Sequence, residues 1–116
     1  MTFQPTALTP DELQKGLATC PGWTIATSPL PDEHPKLRTE LRRAFRFATF
    51  GQAIAFMQAA VPFIDQLNHH PRWENAHRTV TVWLSTWDIG HAVSNLDFEL
   101  ARHLDALATR MNHETT

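Results

Sequence analysis

Two adjacent histidines in the middle of the chain are the residues best suited to acid/base chemistry. His69 and His70 close a long apolar run, and Pro71 follows them directly. The unperturbed pKa of histidine, about 6.5, lies close to neutral pH, so a pair of imidazoles can give one proton and take another. The alternative is two surface histidines at a helix C-terminus, where their positive form suits the helix dipole.

A carboxylate precedes this pair at helical spacing. Asp65 lies one helical turn before His69, so the two side chains share a face if the segment is a helix. Asp65 is then placed to orient the imidazole or to balance its positive form. The alternative is an ordinary exposed helix carboxylate.

Capping residues and apolar spacing predict the helices that would position these groups. The first helix begins at Thr9, with Glu12 completing a capping box, and ends at Cys20-Pro21-Gly22. The second and longest begins at Thr49, with Gln52 as its capping partner. Its core-facing side chains are expected at steps of three and four, at Phe50, Ala53, Ile54, Met57, Val61, Ile64 and Leu67.

The rest of the pattern predicts strands and one more helix. Residues 23–27, 36–47 and 73–86 alternate between apolar and polar side chains, and the last stretch is expected to turn at residues 75–78. Ser94, with Asp97 three positions later, is expected to cap the final helix.

These elements predict one α+β domain over residues 1–116, with loose ends at 1–8 and 112–116. The expected order is α-β-β-α-β-β-α. Hairpin connections imply a four-stranded antiparallel sheet, and three amphipathic helices are expected to pack on one of its faces.

The long second strand carries unusual charges. Arg43 interrupts its apolar face, which indicates either a bulge or a place where a charge is needed. Arg38, Arg42 and Arg46 form a stripe on the other face. The stripe is either a solvated surface or a grip for an anionic partner.

Composition limits the classes of function. The chain has 116 residues, a net charge of -2 and a single cysteine, Cys20. The net charge argues against nucleic-acid binding by bulk charge, and the apolar runs fall short of the roughly 20 residues that span a bilayer. We therefore expect a soluble cytoplasmic protein with no nucleic-acid or membrane partner.

A family resemblance becomes specific at the histidine pair. The sequence Asp65-x-x-x-His69-His70-Pro71, followed by Trp87 and later by Asp97, resembles the signature of the pterin-4a-carbinolamine dehydratases. Other segments resemble the family in the same order, namely Pro71-Arg72-Trp73-x-Asn75, Leu84-Ser85-Thr86 and Asp97-Phe98-x-Leu100-Ala101. The similarity runs from about Thr9 to Met111.

This resemblance implies a hydro-lyase, 4a-hydroxytetrahydrobiopterin dehydratase, which regenerates tetrahydropterin for aromatic amino acid hydroxylases. The reaction converts 4a-hydroxytetrahydropterin to quinonoid dihydropterin and water, without a metal or other cofactor. It assigns catalysis to His69, His70 and Asp65. It assigns substrate binding to Asn68, Trp73, Ser85, Thr86, Trp87, Asp88 and Asp97, although Asp97 is equally well explained as a capping residue.

Two positions depart from the family pattern. His77 stands where members usually carry an aromatic residue, and Trp87 stands where many carry a third catalytic histidine. An indole donates one N–H and accepts no proton, so Trp87 is expected to shape the pocket and not to act as an acid or base.

The resemblance also implies a homodimer or homotetramer. Two alternatives stay open beside the enzyme. One is a non-catalytic dehydratase-like module for binding or dimerisation, supported by the open sheet edges. The other is a metal site built from Asp65, His69, His70, His77 and His91, although adjacent histidines on a helix point about 100° apart and rarely share an ion.

Overall fold

The computed structural model describes residues 8–29, 37–86, 89 and 92–111, and it confirms the predicted fold. Three helices alternate with four strands in the expected order, α-β-β-α-β-β-α. The elements are α1 (Pro10–Thr19), β1 (Thr24–Pro29), β2 (Leu37–Arg46), α2 (Phe50–Leu67), β3 (Arg72–Ala76), β4 (Thr79–Leu84) and α3 (Asn95–Arg110). Trp87, Asp88 and His91 lie outside the described residues, as do 1–7 and 112–116 of the expected loose ends.

The strands form one antiparallel sheet in the order β1-β2-β4-β3. Alternate side chains of β2 and β4, such as Phe45 and Val82, point to the face that the helices cover and are fully buried. The Phe56 ring on α2 lies 5.0 Å from the rings of both Phe45 and Phe47, measured between centroids. The core thus forms between the sheet and the helices.

Helix α1 approaches α3 closely at Gly16. A Cβ atom added at Gly16 would lie 2.5 Å from the Phe98 ring, so only glycine allows this approach. Leu13 and Leu17, one turn apart on α1, are partly buried and pack against the core. No helix in the described part of the chain is both long enough and apolar enough to cross a membrane.

Arg43 was predicted either to mark a bulge or to supply a charge, and the structure shows that it supplies a charge. β2 pairs with β4 residue by residue through this position, from Leu41 opposite Leu84 to Phe45 opposite Val80, so β2 has no bulge here. The Arg43 guanidinium instead forms an ion pair with Asp105 of α3.

The opposite face of the sheet is less open than alternation implied. Glu40 is only 2% exposed there. Its carboxylate accepts hydrogen bonds from Arg72 at 2.9 Å and from Ser28 at 3.3 Å, and Arg38 lies 4.0 Å away. Part of the arginine stripe therefore neutralises a buried carboxylate.

Helix α2 differs from its predicted buried face. Phe50 and Val61 were expected in the core and are exposed, whereas Phe56 and Ala60 are fully buried. The Thr49 hydroxyl caps the helix by accepting from the Gln52 amide, but the Gln52 side chain accepts from Ala48 and not from the Thr49 amide. The bulky apolar residues at these positions thus lie on both sides of the helix.

Candidate acid/base site at the end of α2

The end of α2 sets the histidine pair apart from the helix. Asn68 caps the helix in the left-handed conformation, with φ of 52° and ψ of 43°, and its amide donates to the Ile64 and Asp65 carbonyls. Asparagine tolerates this conformation better than most residues. His69 and His70 follow immediately, so they do not lie on the helix face that their spacing from Asp65 predicted.

His69 turns towards the protein. Its side chain is 11% exposed, and its Nε2 lies 2.6 Å from Oδ1 of Asp97, which is fully buried. An ionised carboxylate only accepts hydrogen bonds, so Nε2 carries the hydrogen of this contact. The Nδ1 atom makes no hydrogen bond to any residue in the described part of the chain.

The other oxygen of Asp97 is held from two sides. Oδ2 accepts 2.8 Å hydrogen bonds from the Thr86 hydroxyl and from the Ser94 amide. Ser94 is the N-cap of α3, and Asp97 is the third residue of that helix, so this carboxylate belongs to the predicted capping box. The same acid therefore caps α3 and binds His69.

His70 lies in a different environment. Its side chain is 64% exposed, and its Nε2 lies 3.9 Å from the exposed Asp65 carboxylate. Asp65 was expected to orient His69; it lies beside His70 instead, and an exposed ion pair of this length contributes little energy. The two histidines thus combine one ring fixed by a buried acid with one ring open to solvent.

The remaining predicted site residues fall into three groups. Thr86 is buried and bonded to Asp97, while the Ser85 hydroxyl oxygen is buried without a hydrogen-bond partner among the described residues. Trp73 is half-buried against the core, and Asn68 is exposed at the helix cap. Trp87 and Asp88 lie outside the described residues, so their assignment to substrate binding stays a prediction.

The chain that follows the histidine pair is anchored by residues whose place near the site was not predicted from the sequence. Arg72, just after Pro71, donates to Glu40 and lies with its guanidinium carbon 4.2 Å from the centroid of the Trp83 ring. Arg72 lies on β3 and Trp83 on β4, and the cross-strand pairing of these two residues was not visible in the sequence. Ser94 was recognised only as a helix cap.

His77 is one of the two residues that depart from the family pattern. It lies in the turn of the β3–β4 hairpin, at the end of β3 far from the histidine pair. It occupies the exposed turn in the left-handed conformation, with φ of 55°. The Asn75 side chain holds this turn by donating to the carbonyls of His77 and Thr79. In the described part of the chain no three His, Cys, Asp or Glu residues are grouped to hold a metal ion.

Comparisons with known proteins identify the family of this chain. A family model described as pterin 4 alpha carbinolamine dehydratase matches residues 6–107. Similar curated proteins carry the name "Putative pterin-4-alpha-carbinolamine dehydratase", and two of them serve as examples. The one from Opitutus terrae is 36% identical over 104 residues, covering 90% of this chain and 96% of the relative. The one from Prochlorococcus marinus (strain MIT 9215) is 33% identical over 105 residues, covering 90% and 97%.

Solved structures show the same fold. A transcriptional coactivator/pterin dehydratase from Brucella melitensis superposes with a TM-score of 0.73 at 32% identity, covering 89% of this chain and 99% of that one. A pterin dehydratase-like protein identified as a RuBisCO assembly factor in the alpha-carboxysome gives a TM-score of 0.57 at 22% identity, covering 75% and 89%, and supports the fold alone.

The described residues combine an α+β fold with a candidate acid/base site, in which one imidazole is held by a buried acid and the next is exposed. The chain belongs to the pterin-4a-carbinolamine dehydratase family.

Proposed function

We propose that the protein dehydrates 4a-hydroxytetrahydropterin to quinonoid dihydropterin and water, as the hydro-lyase 4a-hydroxytetrahydrobiopterin dehydratase. The observation that carries the proposal is the 2.6 Å contact between His69 Nε2 and the buried Asp97 carboxylate. Such a pair fixes the orientation of an imidazole and stabilises its positive form while the ring holds a proton. Family membership supplies the substrate class.

The proposed reaction needs one proton acceptor and one proton donor. The bond between C4a and the hydroxyl oxygen breaks, the hydroxyl takes a proton and leaves as water, and N5 loses its proton as the C4a–N5 double bond forms. His69, held by Asp97, suits the acceptor role. His70 is open to solvent beside Asp65 and suits the donor role, since its proton is readily restored from water.

The substrate contacts assigned by resemblance belong to the same proposal. Asn68, Trp73, Ser85, Trp87 and Asp88 would line the pterin site. The buried Ser85 hydroxyl, which has no partner among the described residues, supports a polar contact to a bound ring. Thr86 and Asp97 already use their polar atoms on each other and on His69, which favours a role in holding the catalytic ring.

The proposal is tested by turnover of 4a-hydroxytetrahydropterin generated in the assay. Wild-type protein should accelerate the loss of its absorbance above the buffer rate. The double variant His69→Ala/His70→Ala should return the rate to that of buffer, whereas His77→Ala, in the exposed hairpin turn, should keep the wild-type rate. A wild type without turnover would contradict the enzyme and favour the dehydratase-like binding module.

The proposal includes self-association and a cytoplasmic location. The exposed Phe50 and Val61 side chains on α2, together with the edge strands β1 and β3, support a homodimer or homotetramer. A single cysteine, which cannot form an internal disulfide, is consistent with a reducing compartment. A monomer mass in light scattering at micromolar concentration would contradict the oligomer.

A further inference from the structure

The first turn of α3 contains a hydrogen-bonded chain that ends on His69. We propose that Ser94, acting through Thr86 and Asp97, is a positioning residue that keeps the His69 proton on Nε2. The atom left to exchange a proton with substrate is then Nδ1. The identity of that substrate rests on the proposed function, but the state of the ring does not.

The direction of each hydrogen bond follows from counting donors. The Leu96 amide donates to the Ser94 hydroxyl oxygen, and the Thr86 hydroxyl donates to Asp97 Oδ2. A hydroxyl has one hydrogen. The hydrogen of Thr86 is therefore already used, so the close contact between the two hydroxyls requires Ser94 to donate to Thr86.

The completed chain runs from the Leu96 amide through Ser94 and Thr86 to Asp97. The Ser94 amide adds a second hydrogen bond to the same Asp97 oxygen. With Oδ2 held from both sides, Oδ1 points at His69 Nε2, and an acceptor at that place favours the tautomer with hydrogen on Nε2. The residues that form these hydrogen bonds, Leu96, Ser94, Thr86 and Asp97, are all buried, so water does not compete for the bonds.

Helix α1 offers a natural contrast, because it begins with the same local motif. Thr9 caps α1 and Glu12 completes its capping box. There the acid is exposed and bonds the Thr9 amide, and that hydrogen bond holds the pKa of the Glu12 carboxyl below its ordinary value. The motif at α3 differs because its acid is buried and reaches a histidine 28 residues away in the sequence.

Removal of the Ser94 hydroxyl isolates its contribution. In Ser94→Ala the Thr86 hydroxyl loses its donor and can rotate away from Asp97, which loosens the acceptor of His69. Ser94→Gly removes the same hydroxyl but remains a better N-cap than alanine, so it serves if the alanine variant does not fold. Ser94→Thr restores the hydroxyl. Thr9→Ala is the matched control, since it removes a cap hydroxyl from the same motif elsewhere.

The first readout is the pair of ¹⁵N shifts of the His69 ring, measured at pH 9, where an imidazole is ordinarily neutral. The wild type, Ser94→Thr and Thr9→Ala should show hydrogen on Nε2. Ser94→Ala and Ser94→Gly should show a mixture of tautomers. Wild-type ring shifts in both hydroxyl-free variants would overturn the proposal.

The second readout is turnover. Loss of the hydroxyl should lower kcat by roughly ten- to a hundredfold with KM changed by less than about twofold, because a misaligned catalytic group slows chemistry more than binding. Ser94→Thr should recover most of kcat. A wild type with the Nε2–H tautomer but no turnover would refute the proposed function and leave the positioning role supported; equal kcat losses in Thr9→Ala and Ser94→Ala would refute the positioning role.

Discussion

Arg43 Nη1 lies 2.8 Å from Asp105 Oδ1, and that oxygen also accepts a 2.8 Å hydrogen bond from the Trp23 indole. One carboxylate on α3 thus binds the middle of β2 and the residue that precedes β1. The Arg43 guanidinium carbon also lies 4.6 Å from the centroid of the Phe45 ring. The charge that interrupts the apolar face of β2 is therefore part of the contact between sheet and helix.

Arg43→Met should lower the free energy of unfolding by about 1–3 kcal/mol, because it removes the ion pair between Arg43 and the half-buried Asp105 carboxylate. Urea denaturation monitored by tryptophan fluorescence measures this change. Arg42→Met removes an exposed arginine from the opposite face and should change stability by less than about 0.5 kcal/mol. Equal losses in the two variants would show that the ion pair with Asp105 contributes nothing specific.

Gly16→Ala should destabilise the protein by about 1–3 kcal/mol, although alanine ordinarily favours a helix by about 1 kcal/mol. The added methyl group would overlap the buried Phe98 ring and push α1 from α3. Gly51→Ala is the control, since among the described residues a Cβ there meets only the Thr49 hydroxyl, at 3.8 Å. Thermal unfolding compares the two variants; a gain in stability at position 16 would contradict the packing.

His70→Ala should lower turnover by about 10²–10⁴-fold, the usual cost of losing a general acid or base. It should leave the free energy of unfolding within about 0.5 kcal/mol, because the side chain is mostly exposed. Asp65→Asn, which removes the neighbouring charge, should cost far less activity. Stopped-flow turnover together with urea denaturation separates the effects, and wild-type turnover in His70→Ala would remove this residue from the mechanism.

Trp87→Phe should change substrate affinity more than it changes the pH profile of turnover, because an indole cannot accept a proton near neutral pH. Trp87→His restores the commoner family residue and should keep or raise kcat. Both variants are measured between pH 6 and 9. An ionisation that is present in the pH profile of the wild type and absent from that of Trp87→Phe would contradict the assignment of Trp87 to the pocket wall.

The pH dependence of stability should contain a contribution from His103. Its ring stacks on Phe63 of α2 at 3.6 Å between centroids, and desolvation, assisted by repulsion from Arg110, lowers the pKa of His103 from 6.5. The folded state thus binds the proton less well than the unfolded state, so this contribution is complete above pH 6.5 and is lost as the pH falls below that value.

His103→Gln should flatten the decline of unfolding free energy between pH 7 and pH 5, as measured by urea denaturation. His77→Gln, in the exposed turn, is the control and should leave the slope unchanged. An identical slope in His103→Gln and wild type would contradict the assignment.

Local rules predicted the elements well, because caps and turns depend on neighbouring residues. Thr9 with Glu12, and Ser94 with Asp97, form the capping boxes that the sequence indicated. Periodicity was less informative for α2, since both sides of that helix carry apolar residues. Phe50 and Phe56 are chemically alike, and only the sheet packed beneath determines that Phe56 is buried.

The site was predicted in part. Family resemblance selected His69, His70 and Asp97, but the pairing of His69 with Asp97 depends on how α3 meets the end of α2, which is a tertiary relationship. Spacing along a helix favoured Asp65 as the partner of His69. The left-handed cap at Asn68 ends the helix before His69, so that spacing no longer applies.

The buried capping box of α3 makes the state of His69 depend on the fraying of one helical turn. Helix termini open more often than helix centres, through local fluctuations that leave the rest of the fold intact. Each opening of the turn from Ser94 to Asp97 releases the acceptor of the imidazole. The population of misoriented rings therefore follows the opening equilibrium of this turn, and a perturbation of about 1.4 kcal/mol confined to it would change that population tenfold without unfolding the protein.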